Sequence, residues 1–345
     1  MAFSAFFFLP LLSILALDAI YGFGYRNGFL ELMANSYRAR SLSETTEPLQ
    51  GNMTNTGFDE LLGNLIVFYW PVLNGNHPAL SLQAFYFSGP ILAVWTVFQV
   101  ESWRDSSRTR WLLSHPSPTF WALLSQVITI GAIVPLWCAI HLWLHPVPRT
   151  LSVSGAHAVK LLPVCMILGF GIPTLAMILP QRWHSHMFAK QTAIAVWQLW
   201  PLYVAGLHRA LRAITSPQGT SARQAARHAY MFALVTAAIS HLVSWTLALG
   251  LVPANLLADI SPWAANGEVQ VASMAEGALW FLQWDHSTGM SGFLLWALQL
   301  HMHLQRPAKA SIGTGFWLAL KIGALCLVSG PCGAAIGLLL QLSDG

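Results

Sequence analysis

The chain alternates long apolar runs with short polar segments. Apolar runs at 2–21, 80–100, 118–144, 158–180, 191–207, 229–252, 278–300 and 312–340 contain few ionisable residues. Each approaches or exceeds the ~20 residues that a helix needs to cross a hydrocarbon core of about 30 Å. The pattern predicts an all-α, polytopic transmembrane helix bundle of about eight spans. The run that starts at Phe58 holds only about thirteen apolar residues before Asn74 and Gly75, which is short for a crossing. It predicts a short re-entrant or interfacial helix near 60–73. No repeat of fixed period interrupts the pattern, so residues 1–345 read as one transmembrane domain with a polar inter-helix segment at 22–60.

The basic residues report orientation. Arg104, Arg108 and Arg110 fall in 101–117, four Arg fall in 208–228, and Arg306 and Lys309 fall in 301–311. The positive-inside rule places all three segments in the cytosol. Three candidate spans separate the first two segments where an even number is required, so either 191–207 does not cross fully or one segment breaks the rule. The sequon Asn52-Met53-Thr54 would put its segment in the lumen if glycosylated.

Composition narrows the class. Of 345 residues, 55% are hydrophobic and 9% are charged, against about 25% charged in a soluble domain, which excludes a soluble globular enzyme. A net charge of +4 concentrated in connecting segments implies membrane lipid as a partner and no nucleic-acid surface. The expected location is multi-pass in the endoplasmic reticulum membrane. Cys138, Cys165, Cys326 and Cys332 form no CxxC pair and read as small core residues.

Ionisable groups inside spans are costly, so each needs a partner or a purpose. Asp285 stands at or near the start of the run 278–300, among Trp280, Phe281, Gln283 and Trp284. A carboxyl desolvated there favours its protonated form, the property of a general acid. The alternative is an Asp that caps backbone amides or pairs with His286. Glu60 and Asn64 share one face of the short helix at i, i+4, followed by Tyr69 and Trp70. Acidic residues in a first helical turn are also ordinary start signals. Glu101 beside Arg104 reads as an interfacial ion pair.

Other helices pair tryptophan with a polar residue: Trp137 with His141, His241 with Trp245, Gln198 between Trp197 and Trp200, and Gln126 about three turns before Trp137 on one predicted helix. Aromatic belts account for many of the 16 tryptophans. The mid-helix pairs suit a cavity whose ring faces stabilise a positive charge. Histidine pairs at His141/His145, His184/His186 and His301/His303 raise a membrane di-iron oxidase or desaturase as one alternative, though adjacent paired histidines are missing. His184, His186, His301 and His303 read instead as interfacial. No acidic DDxxD cluster, P-loop, GxSxG or HExxH motif occurs. A secondary-metabolite transporter is the other alternative, since it uses the same apolar spans and intramembrane carboxylates.

Two stretches, FDELLGNLIVFYWPVLNGNHPALSL at 58–82 and FLQWDHSTG at 281–289, carry a resemblance to the fungal integral-membrane terpene cyclases of meroterpenoid biosynthesis, of the ascofuranone and macrophorin type. The resemblance implies a metal-independent enzyme without cofactor. It would protonate a linear prenyl chain, often farnesyl on an aromatic polyketide, or its terminal epoxide, and cyclise it through a carbocation. It implies a carboxylic acid donor, which Asp285 matches and for which Glu60 is the second candidate, with Asn64 in support. The cavity would be lined by Tyr69, Trp70, Gln126, Trp137, His141, Gln198, His241, Trp245, Trp280, Gln283 and Trp284. This chain departs from the pattern in placing His286 directly after the acid.

Overall fold

The computed structural model describes residues 2–51, 53–104, 111–144, 151–180, 183, 189–217, 219, 221–251, 270–305 and 312–344. Asn52, Arg108, Arg110, His145, His184, His186, Arg306 and Lys309 lie outside the described residues. Among the described residues, every named element is helical. Helix α1 (Ala2–Leu17) continues through a π-helical turn, Asp18–Gly22, into α2 (Phe23–Arg26). There follow α3 (Phe29–Arg38), α4 (Phe58–Leu73), α5 (Pro78–Ser102), α6 (Ser117–Val127) and α7 (Ile130–Leu144). Helix α8 (Val153–Met166) passes through a second π turn, Ile167–Gly171, into α9 (Ile172–Ile178). The remainder are α10 (Ala189–Trp197), α11 (Trp200–Ile214), α12 (Ala222–Leu251), α13 (Met274–Gln305) and α14 (Ile312–Asp344).

Among the described residues, five helices are long and apolar enough to cross a membrane: Phe7–Arg26, Pro78–Ser102, Ser154–Ile178, Ala222–Gly250 and Gly315–Leu342. Two of the expected spans are broken. The run 118–144 divides at Ile128 and Thr129 into α6 and α7, with Thr129 at φ 137°. Gln126 and Trp137 therefore sit on different helices, contrary to the continuous helix expected. The run 191–207 divides after Trp197 into α10 and α11, with Pro201 in the first turn of the second piece. Helix α13 has 32 residues, yet its polar side chains keep it out of the apolar set.

The packing is that of a protein in lipid. Phe7, Phe8, Leu11 and Ile14 on α1, Val235, Ile239 and Leu242 on α12, and Leu320, Leu327 and Val328 on α14 face outward. Gln83, Gln99, His141, Gln198, His241, Gln283, Asp285 and His286 face inward and are buried. Polar groups turn to the interior because lipid offers no hydrogen-bond partner. Helix α12 packs along α5 and α14, α13 along α7, α14 and α5, and α1 along α7 and α13. The polar segment is tied to this bundle by Gln191, whose side chain accepts from the Gln50 amide at 2.7 Å and donates to the Pro48 carbonyl at 3.0 Å.

One corner outside the spans gives a pH prediction. His115 stacks on Trp103 with ring centroids 4.3 Å apart, and Arg212 lies 4.4 Å over the other ring system of that contact, Trp103. Burial, together with the neighbouring His208 and Arg212, pushes the His115 imidazole down to about 4. The unfolded chain takes up this proton near 6.5, whereas the folded protein resists until about 4. Stability at this corner is therefore lost as pH falls through that window. Thermal unfolding at pH 7 and pH 5 is expected to show a smaller decrease for His115→Phe than for the parent.

Candidate active site

Helix α13 carries the centre of the site. Asp285 is buried, 6% exposed, and its Oδ1 accepts the backbone N–H of Gly131 at the start of α7. The Ile130 amide and the Thr129 side chain bond to the same carboxyl. The carboxyl thus caps the N-terminus of a different helix, where amides that lack an intrahelical partner favour negative charge. The capping alternative is realised across space rather than within its own helix. Tyr21 and Tyr69 lie within electrostatic reach of the carboxyl. The Tyr21 hydroxyl donates to the carbonyls of Val127 and Ile128, at 3.1 and 2.7 Å, and so fixes the break between α6 and α7.

Gly131 permits this approach. A Cβ there would overlap the Thr288 hydroxyl and lie 3.0 Å from the Asp285 carbonyl. Gly131→Ala is expected to lift α7 from α13, lowering stability by about 1–3 kcal/mol and cutting activity through the displaced amides. Thermal unfolding and product formation on the same preparation check both.

His286 does not pair with Asp285. Successive helical residues point about 100° apart, and the His286 ring stacks on Phe87 at 4.9 Å and meets Tyr86 edge-on at 4.4 Å. Gln83 donates to its Nδ1 at 3.3 Å. Helix α14 supplies the next link. Pro331 has no N–H, so the Leu327 carbonyl loses its helical donor, and His241 Nε2 donates to it at 3.1 Å. That fixes the tautomer, and Nδ1 accepts from the Tyr86 hydroxyl at 2.9 Å. Gly330, at φ 69°, is required there, because a Cβ would stand 3.0 Å from His241 Nδ1.

Ring contacts form a continuous path that starts at Phe281, one turn before Asp285 on α13. Phe281 packs on Phe68 at 4.9 Å, Phe68 on Tyr69 at 5.1 Å, and Tyr69 on Trp197 at 5.5 Å. The path continues through Phe170 and Trp200 to Trp95, then Phe98, which stacks on Trp137 at 3.6 Å. It ends at His141, stacked on Trp137 at 5.0 Å. Glu101 joins this end as an ion pair with Arg104, its side chain only 7% exposed. Its carboxylate pairs with Arg104 at 2.9 Å, accepts from the Tyr230 hydroxyl and lies 3.6 Å from His141 Nε2.

The remaining expected residues separate into two sets. Trp70, Gln198 and Gln283 are buried, Trp245 is half-buried against His241, Trp280 packs on Phe23 at 5.4 Å, and Trp284 packs with Ala16 and Ile20. Gln126 is half-buried on α6. Glu60 is exposed, and Asn64 spends its amide on the Glu60 backbone carbonyl at 2.9 Å. Their neighbours Asp59 and Gly63 border a polar cavity of about 180 Å³ with Arg38 and Arg40. His301, expected at an interface, is buried and bonds to the Leu338 carbonyl. The sequence reading missed Gln83 and Tyr86, although two polar residues spaced i, i+3 in an apolar run were a visible signal. Thr129, Gly131 and Tyr21 gave none. Among the described residues, no group of three or more His, Cys, Asp or Glu is placed to hold a metal ion.

A family model described as the CtvD domain matches residues 4–341. The terpene cyclase ctvD of Aspergillus terreus (strain NIH 2624 / FGSC A1156) is 59% identical over 353 residues, covering 100% of each chain. The terpene cyclase penA of Penicillium crustosum is 30% identical, over 95% of this chain and 94% of its own length. The terpene cyclase ascI of Acremonium egyptiacum is 28% identical, over 93% and 86%. No solved structure matches the chain.

Proposed function

Because the chain belongs to the CtvD-domain family of terpene cyclases, we propose that its substrate is a linear prenyl chain of about farnesyl length, or the terminal epoxide of one, carried on an aromatic polyketide. The observation that supports this most is the buried Asp285 carboxyl, held against the α7 amides and within electrostatic reach of Tyr69 on a continuous path of aromatic rings. Asp285 gives its proton to the terminal alkene carbon or to the epoxide oxygen. The amides of Ile130 and Gly131 stabilise the carboxylate left behind, as preorganised dipoles do wherever charge develops. The ring faces then stabilise the migrating cation, each by roughly 0.5–2 kcal/mol when desolvated. Loss of a proton or capture of water ends the reaction, giving an isomeric or hydrated product.

A bundle open to lipid on its apolar outer faces suits a substrate that partitions into the bilayer, in the endoplasmic reticulum membrane of the host. The eight-span topology is kept if α13 and the broken pairs α6–α7 and α10–α11 cross together with the five apolar helices. Expression in a host that makes farnesylated phenols or their epoxides tests the activity. Isolated microsomes should convert the precursor with no ion gradient, and recovery of unaltered precursor would end the cyclase reading. Glycosylation-acceptor tags at 111–116 and 215–217 in that host should report opposite sides, because three crossings separate them in the eight-span topology, and equal sides would show that one broken pair does not cross.

A further inference from the structure

Between α5, α6, α8 and α11 lies a small void lined by Trp95, Gln99, Thr119, Met166, Trp200 and Val204. Trp95 and Trp200 are each 2% exposed and Gln99 is 7% exposed. Trp95 Nε1, Gln99 Oε1, Thr119 Oγ1 and Trp200 Nε1 are buried, and none has a hydrogen-bond partner among the described residues. Four residues lining one void each carry an unmet polar atom, which is unusual because buried polar groups are nearly always paired. Inside a bilayer no bulk water relieves them.

The chemistry of the four atoms defines what fits. An indole N–H donates only, so both tryptophans require an acceptor, while the amide oxygen of Gln99 requires a donor. Trp95 and Gln99 are spaced i, i+4 and share the inner face of α5, with Trp200 opposite them on α11. An anion or a bare carbonyl would leave Gln99 unmet, and a cation would leave both indoles unmet. A neutral hydroxyl meets three of the four, with two lone pairs for the indoles and one hydrogen for the amide oxygen, and the second hydrogen of a water can also be accepted by the Thr119 hydroxyl. The space suits a group of about the size of one water molecule.

We propose that this void is a binding site for a single neutral hydroxyl, either an ordered water or the hydroxyl of a prenyl alcohol, which accepts from Trp95 and Trp200 and donates to Gln99. The site lies on the aromatic path between Trp200 and Phe98 and is separate from Asp285, so it stands or falls without the acid assignment. The test uses the full chain in detergent with ¹⁵N-labelled tryptophan, and the variants Gln99→Met and Trp95→Phe, which remove a polar atom while keeping bulk. If water fills the site, the free protein shows magnetisation transfer from a long-lived water to two indole N–H groups. Each variant then loses that transfer and melts about 2–4 °C lower. If an alcohol fills it, the free variants melt no lower than the parent. In that case farnesol raises the melting temperature of the parent alone, and the hydrocarbon farnesene raises neither. The proposal is overturned if no indole sees water and farnesol shifts parent and variants equally. Should Trp95→Phe not fold, Gln99→Met carries both comparisons.

Discussion

Asp285→Asn is expected to leave a folded bundle whose product formation falls by about 10²–10⁴-fold, the contribution of a positioned acid. The amide oxygen of Asn can still accept the Gly131 N–H that Oδ1 accepts now, so α7 keeps its cap and the fold survives. What disappears is the transferable proton. Capping and donation are compatible tasks for one carboxyl, since one oxygen receives the helix amides while the proton resides on the other. Asp285→Glu keeps the proton but displaces the carboxyl by about one methylene, and near-attack geometry tolerates little such displacement; residual activity between the two extremes is expected. Melting temperature and product yield measured on the same preparations separate folding from chemistry. Full turnover by Asp285→Asn would reduce this residue to a structural cap. Glu60→Gln, assayed alongside, then shows whether the exposed start of α4 supplies the proton instead.

The contrast between these two acids shows what was legible in the residue order. Apolar runs announced helices, and the departure of Asp285 from such a run announced a group with a purpose. Its partners were not legible. Thr129, Ile130 and Gly131 lie more than 150 residues away, inside a run whose hydropathy reads as continuous helix. The break there depends on a left-handed backbone at Thr129, for which a β-branched residue gives no warning. Glu60 and Asn64 had the correct spacing for a shared face, but spacing cannot tell which face turns inward. Glu101 illustrates the same limit from the other side. The end of an apolar run does not say what packs around it, and Tyr230 and His141 come from other helices to enclose the carboxylate. Periodicity reports each helix alone, while burial belongs to the assembled bundle.

That enclosure leads to the second large effect. Glu101→Ala is expected to destabilise the protein by about 3–5 kcal/mol, because it removes the carboxylate that compensates a largely buried guanidinium. The Glu101 and Arg104 side chains are only 7% and 23% exposed, so solvent does little to replace the lost partner. Tyr230 bonds to both, donating to Glu101 and accepting from Arg104 at 2.9 Å, and the three residues clamp α12 against the end of α5. The charge itself is not the source of the stability. Glu101→Leu combined with Arg104→Met should therefore recover most of the loss in melting temperature, as replacement of a whole buried pair often does. Activity should not recover in parallel. Trp296 donates to His141 Nδ1 at 3.1 Å, which leaves the hydrogen of His141 on Nε2, the atom that faces Glu101. With the carboxylate gone, His141 loses one of the partners that orient its ring against Trp137, and the end of the aromatic path loosens. The double variant is thus expected to be stable but to release more early-quenched, less cyclised product. A product profile identical to the parent's would show that this network supports the fold alone.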